Sequence, residues 1–420
     1  MTHERSLEPE PNTVAAVATL DGITASQVPA QSARARGRDR YLDLLRAIAL
    51  LRIITLHTFF NAVWLTVVFP SLGVMFALAG SLMARSLDRP AASVLRSRSR
   101  RLLLPLWVYA GTVLAGLALQ GWRAAPGEGV GWWLRLMLWF VPIGDPPFPE
   151  SIGSVGGWTE TSWGMQSADI LWYIRAYFWF VLLSPLLLKA FRRFLWPALL
   201  APLGLLVLLE AGALRLPSGV GSVVWDFATF ASCWILGFAH NDGMLRRLPR
   251  HLVFAVGVAL MLLGLLWAAT HLGDSGWDLG MMPMAQALWS LGFCAMLLRI
   301  SPSWSAFPRS LRLLDKPVTL INNRAITIYL WHCLALMALI PLIDRLGRID
   351  LVSESIPWLY TPLTQCILVW PFLAVALLAV GWVEDVAAKR PPRLWPTGSY
   401  GPGRAVPAAA SGQQSASGST

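Results

Sequence analysis

Ten apolar segments of about twenty residues recur along this chain and leave it few ways to fold. They lie near 42–63, 65–84, 102–120, 168–188, 195–212, 219–239, 252–271, 283–299, 319–343 and 362–383. Each is long enough to cross roughly 30 Å of hydrocarbon as a helix. At that depth no water satisfies backbone N–H and C=O groups, so spanning segments must close their own hydrogen bonds. The expectation is an all-α integral membrane protein, about ten transmembrane helices in one bundle. Composition agrees: 14% of the residues are charged, against about 25% in a soluble domain. A shorter stretch, Gly131 to Ile143, is too short and too aromatic at its edges to span. It reads as an interfacial or re-entrant helix.

Ten spans put both ends of the chain on one side. Of the 34 Lys and Arg residues, 25 fall in the two tails and the alternate loops, 5 in the other loops and 4 inside spans. This asymmetry places both termini in the cytoplasm of a multi-pass cell-membrane protein. The net charge of +11 is therefore mostly topology and contact with membrane lipids, and nucleic acid is not expected as a partner. Residues 1–40 are rich in Pro, Ala, Ser and Thr and lack the apolar core of a signal peptide. Residues 386–420 are rich first in Pro and Arg, then in Ala, Ser and Gly. Both read as disordered cytoplasmic tails flanking a membrane domain at 41–385. Cys233, Cys294, Cys333 and Cys366 sit in apolar runs without metal-type spacing; they read as small core hydrophobes, and no metal is expected. The long loop 121–167 holds Trp122, Trp132, Trp133 and Trp158. These belong either to interfacial belts or to a groove for a sugar or lipid.

The segment Tyr41 to Phe60 is apolar enough to span, yet it carries Arg46, Arg52 and His57. Ionisable groups at membrane depth are costly and usually face a bundle interior or wet cavity. Eleven residues separate Arg46 from His57, which at about 100° per residue is within about 20° of three turns. The two share a face, roughly 16 Å apart along the axis. Arg52 points about 240° away from Arg46 and is a candidate structural cation. Arg98 and Arg101, three apart before the third span, either clamp a phosphate or are topological charge meeting lipid headgroups. Arg175 lies in an aromatic run, and Asp226 is the most deeply placed acid in the spans. A buried charge needs a partner, so Asp226 is expected to pair with Arg175 or Arg52. His332, in the ninth span, is either a hydrogen-bonded core residue or a second catalytic candidate.

Several of these stretches together resemble acyltransferase family 3, multi-pass membrane enzymes that transfer acyl groups, often acetyl, to extracytoplasmic glycans and lipids. LDLLRAIALLRIITLH is similar to the family's opening helix, with Arg and His eleven apart. FPSLGVMFALAGSLMA resembles its second span, with Ala79 where Ser usually precedes Gly80. RSRSRRLLLP resembles its Arg-x-x-Arg motif, ILWYIRAYFWFVLLSP, with Trp172 and Arg175, its Trp-Phe-Leu-Arg motif, and AITIYLWH, with Tyr329 and His332, its late Tyr-x-x-His motif. The likeness runs from about Arg40 to Glu384, in the expected order. Arg52 is an addition to the commonest pattern.

The resemblance implies an O-acyltransferase that takes an acyl group, acetyl above all, from cytosolic acyl-CoA as donor substrate. The group would pass to a hydroxyl of an extracytoplasmic glycan or glycolipid, with no permanently bound cofactor. Arg98 and Arg101 would hold the CoA phosphates, with Arg175 and Trp172 also binding substrate. Arg46 would hold the donor or stabilise charge at the thioester carbonyl. His57 would be the general base or a covalent acyl carrier. Asp226, Tyr329, His332 and Arg52 are secondary candidates. Any extracytoplasmic partner that completes transfer is expected to be a separate protein, or unnecessary. Two rival readings stay open: a transporter or flippase that binds an anionic substrate on Arg46, Arg52 and Arg175, and an unrelated acyltransferase built on His332.

Overall fold

The computed structural model describes residues 39–59, 62–124, 127–150, 162–273, 276–349 and 355–395. Trp158, and the predicted tails up to residue 38 and from residue 396, lie outside them. Among the described residues all regular secondary structure is helical. The chain opens with α1 (Arg40–Thr58), a four-residue turn α2 (Leu65–Val68), α3 (Ser71–Ser86) and α4 (Ala91–Leu119). The short α5 (Gly129–Leu136) occupies the stretch read as interfacial, and α6 (Trp163–Asp169) leads directly into α7 (Leu171–Arg193). Then come α8 (Leu195–Glu210), α9 (Ser218–Asn241), α10 (Met244–Arg247), α11 (Arg250–Thr270) and α12 (Pro283–Ile300). The last are α13 (Asp315–Asn323), α14 (Ala325–Gly347), α15 (Pro362–Val380) and α16 (Trp382–Ala387).

Eight helical segments among the described residues are long and apolar enough to cross a membrane. The two other expected spans fall on the 16-residue α8 and on α1, which Arg40, Asp43, Arg46 and Arg52 make less apolar. Asp39 caps α1, its carboxylate accepting from the Tyr41 N–H at 3.0 Å. This helix is central rather than peripheral: it packs against α3, α13, α14 and α15. Leu45, Ala47, Ala49, Leu50, Ile53 and Ile54 are all buried, and a helix that buries most of its circumference belongs inside a bundle.

Lipid is as apolar as Leu, so close packing and polar contacts, not water exclusion, must hold such helices together. Helices α3 and α9 show how. A Cβ on Gly80 would lie 2.1 Å from the Trp234 carbonyl oxygen, and one on Gly237 would lie 2.1 Å from that of Ala77. Only glycine lets the two backbones approach so closely. Beside them Phe180 stacks on Trp234, centroids 5.1 Å apart, and the Trp234 indole donates to Ser184 Oγ at 3.0 Å.

Ionic contacts fasten the end of the bundle where α1 begins and α16 ends. Arg40 pairs with Asp43 at 3.1 Å and with Asp315 on α13, and donates to Thr319 Oγ1 at 2.8 Å. Arg324, fully buried, pairs with Asp385 at 2.7 Å and donates to the Arg393 carbonyl at 2.8 Å. Helix α16 runs on to Ala387, and the exposed stretch after it returns its Arg393 backbone to Arg324 and Asp385.

Candidate active site

A cavity of about 510 Å³ opens among the C-terminal half of α1, the start of α7, the first half of α9 and the turn before α12. This is the end of the bundle remote from the Arg-rich loops. Its lining includes Arg52, His57, Thr66, Gln166, Asp169, Trp172, Trp225, Asp226, Phe230, Asp278, Gln286 and Tyr329. Aromatic faces and carboxylates thus meet around one histidine. Trp172 stacks against Phe230, centroids 5.9 Å apart, which fixes its ring at the wall. The volume lies within the roughly 300–1,000 Å³ of small-molecule sites.

His57 sits in the last turn of α1, makes no hydrogen bond to any described residue, and faces both the cavity and His332. The two imidazole rings meet edge to face, centroids 5.0 Å apart. His332, 1% exposed, is not a wall residue. Its Nδ1 lies 2.5 Å from the Tyr329 carbonyl oxygen, so Nδ1 carries the proton and Nε2 keeps a lone pair. Cys333 Sγ is 3.4 Å from that Nε2. Tyr329 is held in turn, its hydroxyl donating to the Ile170 carbonyl at 2.8 Å.

Helix α1 is unbroken from Arg40 to Thr58, so Arg46 lies roughly 16 Å from His57 along its axis. Arg46 is therefore remote from the cavity that His57 lines. It donates instead to Asn322 Oδ1 at 3.3 Å, and Asn322 is pinned to the Asp43 and Val318 carbonyls at 2.8 Å each. Arg98 is within electrostatic reach of Arg46, and Arg98, Arg100 and Arg390 are within reach of Arg101. Several guanidinium groups therefore gather around the N-terminal half of α4. Arg98 and Arg101 nevertheless differ: Arg98 donates to Ser86 Oγ at 2.8 Å, whereas Arg101 is exposed.

Arg175 does not line the cavity. It is 3% exposed and held by Asp226 at 2.6 Å and by Asp145 of the loop after α5. Asp145 also accepts from Ser222 at 2.6 Å. Between the two expected pairings of Asp226, the fold selects Arg175, which makes Arg175 a clamp behind the wall. Arg52 is left for the cavity: its Nε donates to the Leu65 carbonyl at 3.2 Å, and its buried Nη2 has no partner among the described residues.

Of the lining, sequence reasoning passed over Asp169, Asp278, Gln286 and Trp225. Gln286 alone carried a signal, a polar amide inside an apolar span. Outside the spans, burial pushes the Glu384 carboxyl up to about 7, against hydrogen bonds from Thr327 that would lower it.

The helical bundle, with eight segments long and apolar enough to span among the described residues, defines an integral membrane protein with a cavity at one end. The chain belongs to acyltransferase family 3, whose model, described as an acyltransferase domain, matches residues 39–383. It is accordingly a membrane acyltransferase. Neither a curated protein nor a solved structure matches the chain.

Proposed function

We propose that the protein moves an acyl group, acetyl in particular, from cytosolic acyl-CoA to a hydroxyl of an extracytoplasmic glycan or glycolipid. The observation that carries this reading is His57, the histidine that lines a cavity of aromatic rings and carboxylates at one end of α1, with guanidinium groups at the other end. Flat aromatic faces suit sugar rings, and Asp169, Asp226, Asp278 and Gln286 suit sugar hydroxyls. The guanidinium groups of Arg46, Arg98 and Arg101 suit the phosphates of coenzyme A. The extended pantetheine arm bridges the length of α1 between them.

His57 takes the proton of the acceptor hydroxyl as its oxygen attacks the thioester carbonyl. A C–O bond forms, the C–S bond breaks, and the proton passes from His57 to the departing CoA sulfur. Arg52, with an unpartnered Nη2 beside the cavity, meets the charge that develops on the carbonyl oxygen. Asp226, anchored by Arg175, and Trp172 hold the acceptor. Transfer of labelled acetyl from acetyl-CoA into membranes that contain the native acceptor tests the reading. Label should appear in a hydroxylamine-sensitive ester on glycan or glycolipid, and no transfer by the intact protein would contradict it.

A further inference from the structure

His57, His332 and Cys333 offer two ring nitrogens and a thiol sulfur that all lie within 4.8 Å of one another. They come from α1 and α14, so no spacing within one stretch of sequence announces them. His332 already has the geometry of a ligand. Its Nδ1–H is fixed on the Tyr329 carbonyl, the arrangement that orients metal-binding histidines through their other nitrogen. The other nitrogen, Nε2, accepts from the Cys333 thiol, with Sγ 3.4 Å away, an S–H···N contact that a metal ion would replace. Tetrahedral zinc, with Zn–N of about 2.0–2.1 Å and Zn–S of about 2.3 Å, sets neighbouring N and S ligands roughly 3.5 Å apart. The separation along that edge already matches. The His57 ring, held by no hydrogen bond to a described residue, supplies the remaining movement by turning about its side-chain torsions.

Two imidazoles and a thiolate form a borderline-soft donor set that suits Zn²⁺ and disfavours Mg²⁺ or Ca²⁺. His332 and Cys333 are 1% and 2% exposed, whereas His57 opens onto the cavity. The cavity therefore gives an ion its path inward and leaves space for water as a fourth ligand. We propose that His57, His332 and Cys333 form a Zn²⁺ site built over the catalytic base, and that filling this site stops acyl transfer. The consequence for activity rests on His57 acting as the base. Zn²⁺ occupies the His57 lone pair that would accept the acceptor's proton. Cys333 binds as thiolate and its proton leaves to solvent, so binding tightens as pH rises. No oxidation state changes.

Zn²⁺ titrated into membranes that hold the protein and its native acceptor should inhibit acetyl transfer, and a chelator should reverse the inhibition. Cys333→Ala and Cys333→Ser should keep basal transfer within about twofold. Each should also raise the half-inhibitory Zn²⁺ concentration by at least about tenfold, as expected when a metal site loses a contributor. Cys366→Ala should leave inhibition unchanged. Independently of activity, Co²⁺ added to the metal-stripped, detergent-purified protein should give a thiolate-to-cobalt charge-transfer band that both Cys333 variants lack. Transfer indifferent to Zn²⁺, a cobalt band that survives both Cys333 variants, or transfer that requires Zn²⁺ would each overturn the proposal. An active His57→Ala enzyme would instead refute the base assignment, while the cobalt band would still decide whether the metal site exists.

Discussion

His57 and His332 meet across the α1–α14 interface with ring centroids 5.0 Å apart and planes inclined at 61°. The two candidate histidines are therefore neighbours in the fold. They are not equivalent, however. His57 lines the cavity, while His332 lies behind it with one nitrogen committed to a backbone carbonyl. Their substitutions should therefore differ in kind.

The donor end of the account turns on Arg101, which is exposed, rather than on Arg98, which is bound to Ser86. Arg101→Lys keeps the charge but loses the planar fork. It should raise KM for acetyl-CoA by about tenfold with little change in kcat, roughly the weight of one charge-assisted hydrogen bond. Arg96→Ala should alter neither parameter. Steady-state kinetics on both variants checks this, and equal effects would reduce the loop to topological charge.

Asp226→Asn should destabilise the protein. Removing one partner of a fully buried ion pair costs about 3–5 kcal/mol. Here Asp145 remains on Arg175 and the Asp226 side chain is 20% exposed, so the loss should fall at or below the low end of that range. Asp145→Asn combined with Asp226→Asn should cost more than the two single losses added together, because only then is Arg175 stranded. Thermal unfolding of the three variants in detergent measures it.

Glu384 predicts a pH dependence of stability. Its carboxyl is held at about 7 in the fold against an ordinary value of 4.5, so the native state favours the protonated form. This contribution is fully present below about pH 4.5 and declines as pH rises towards 7, because there the unfolded chain binds fewer protons than the native one. Unfolding temperatures should fall across that interval, and Glu384→Gln should flatten the decline. An identical slope in wild type and variant would contradict the assignment.

Orientation is tested by reporter fusions. Those after residues 95, 192, 246 and 308 should read cytoplasmic, and those near 150, 276 and 352 extracytoplasmic. A cytoplasmic signal at 150 would mean that the segment containing α5 crosses the membrane.

The helices were legible because membrane depth forces length and hydropathy into each segment separately. Even α8, only 16 residues long, stood out by its unbroken run of apolar residues. The shared face of Arg46 and His57 was legible too, since one unbroken helix sets it. The cavity was not. Asp169 and Asp278 lie near segment ends and Trp225 is one Trp among 22, and only packing of α1, α7, α9 and α12 turns them to one space. Arg52 looked like a structural cation until Arg175 proved to hold Asp226. Cys333 gave no signal, because its histidine partner from α1 lies at the far end of the chain.

Acyl transfer by His57 and His332 variants at matched membrane expression tests the central claim most directly. A general base contributes about 10²- to 10⁴-fold, so His57→Ala should lose at least about a hundredfold in kcat/KM. His57→Gln, which keeps hydrogen bonding but takes no proton near neutrality, should be nearly as inactive. His332→Ala should retain activity clearly above both. Transfer that survives in His57→Ala and disappears in His332→Ala would contradict the account and place the chemistry on α14.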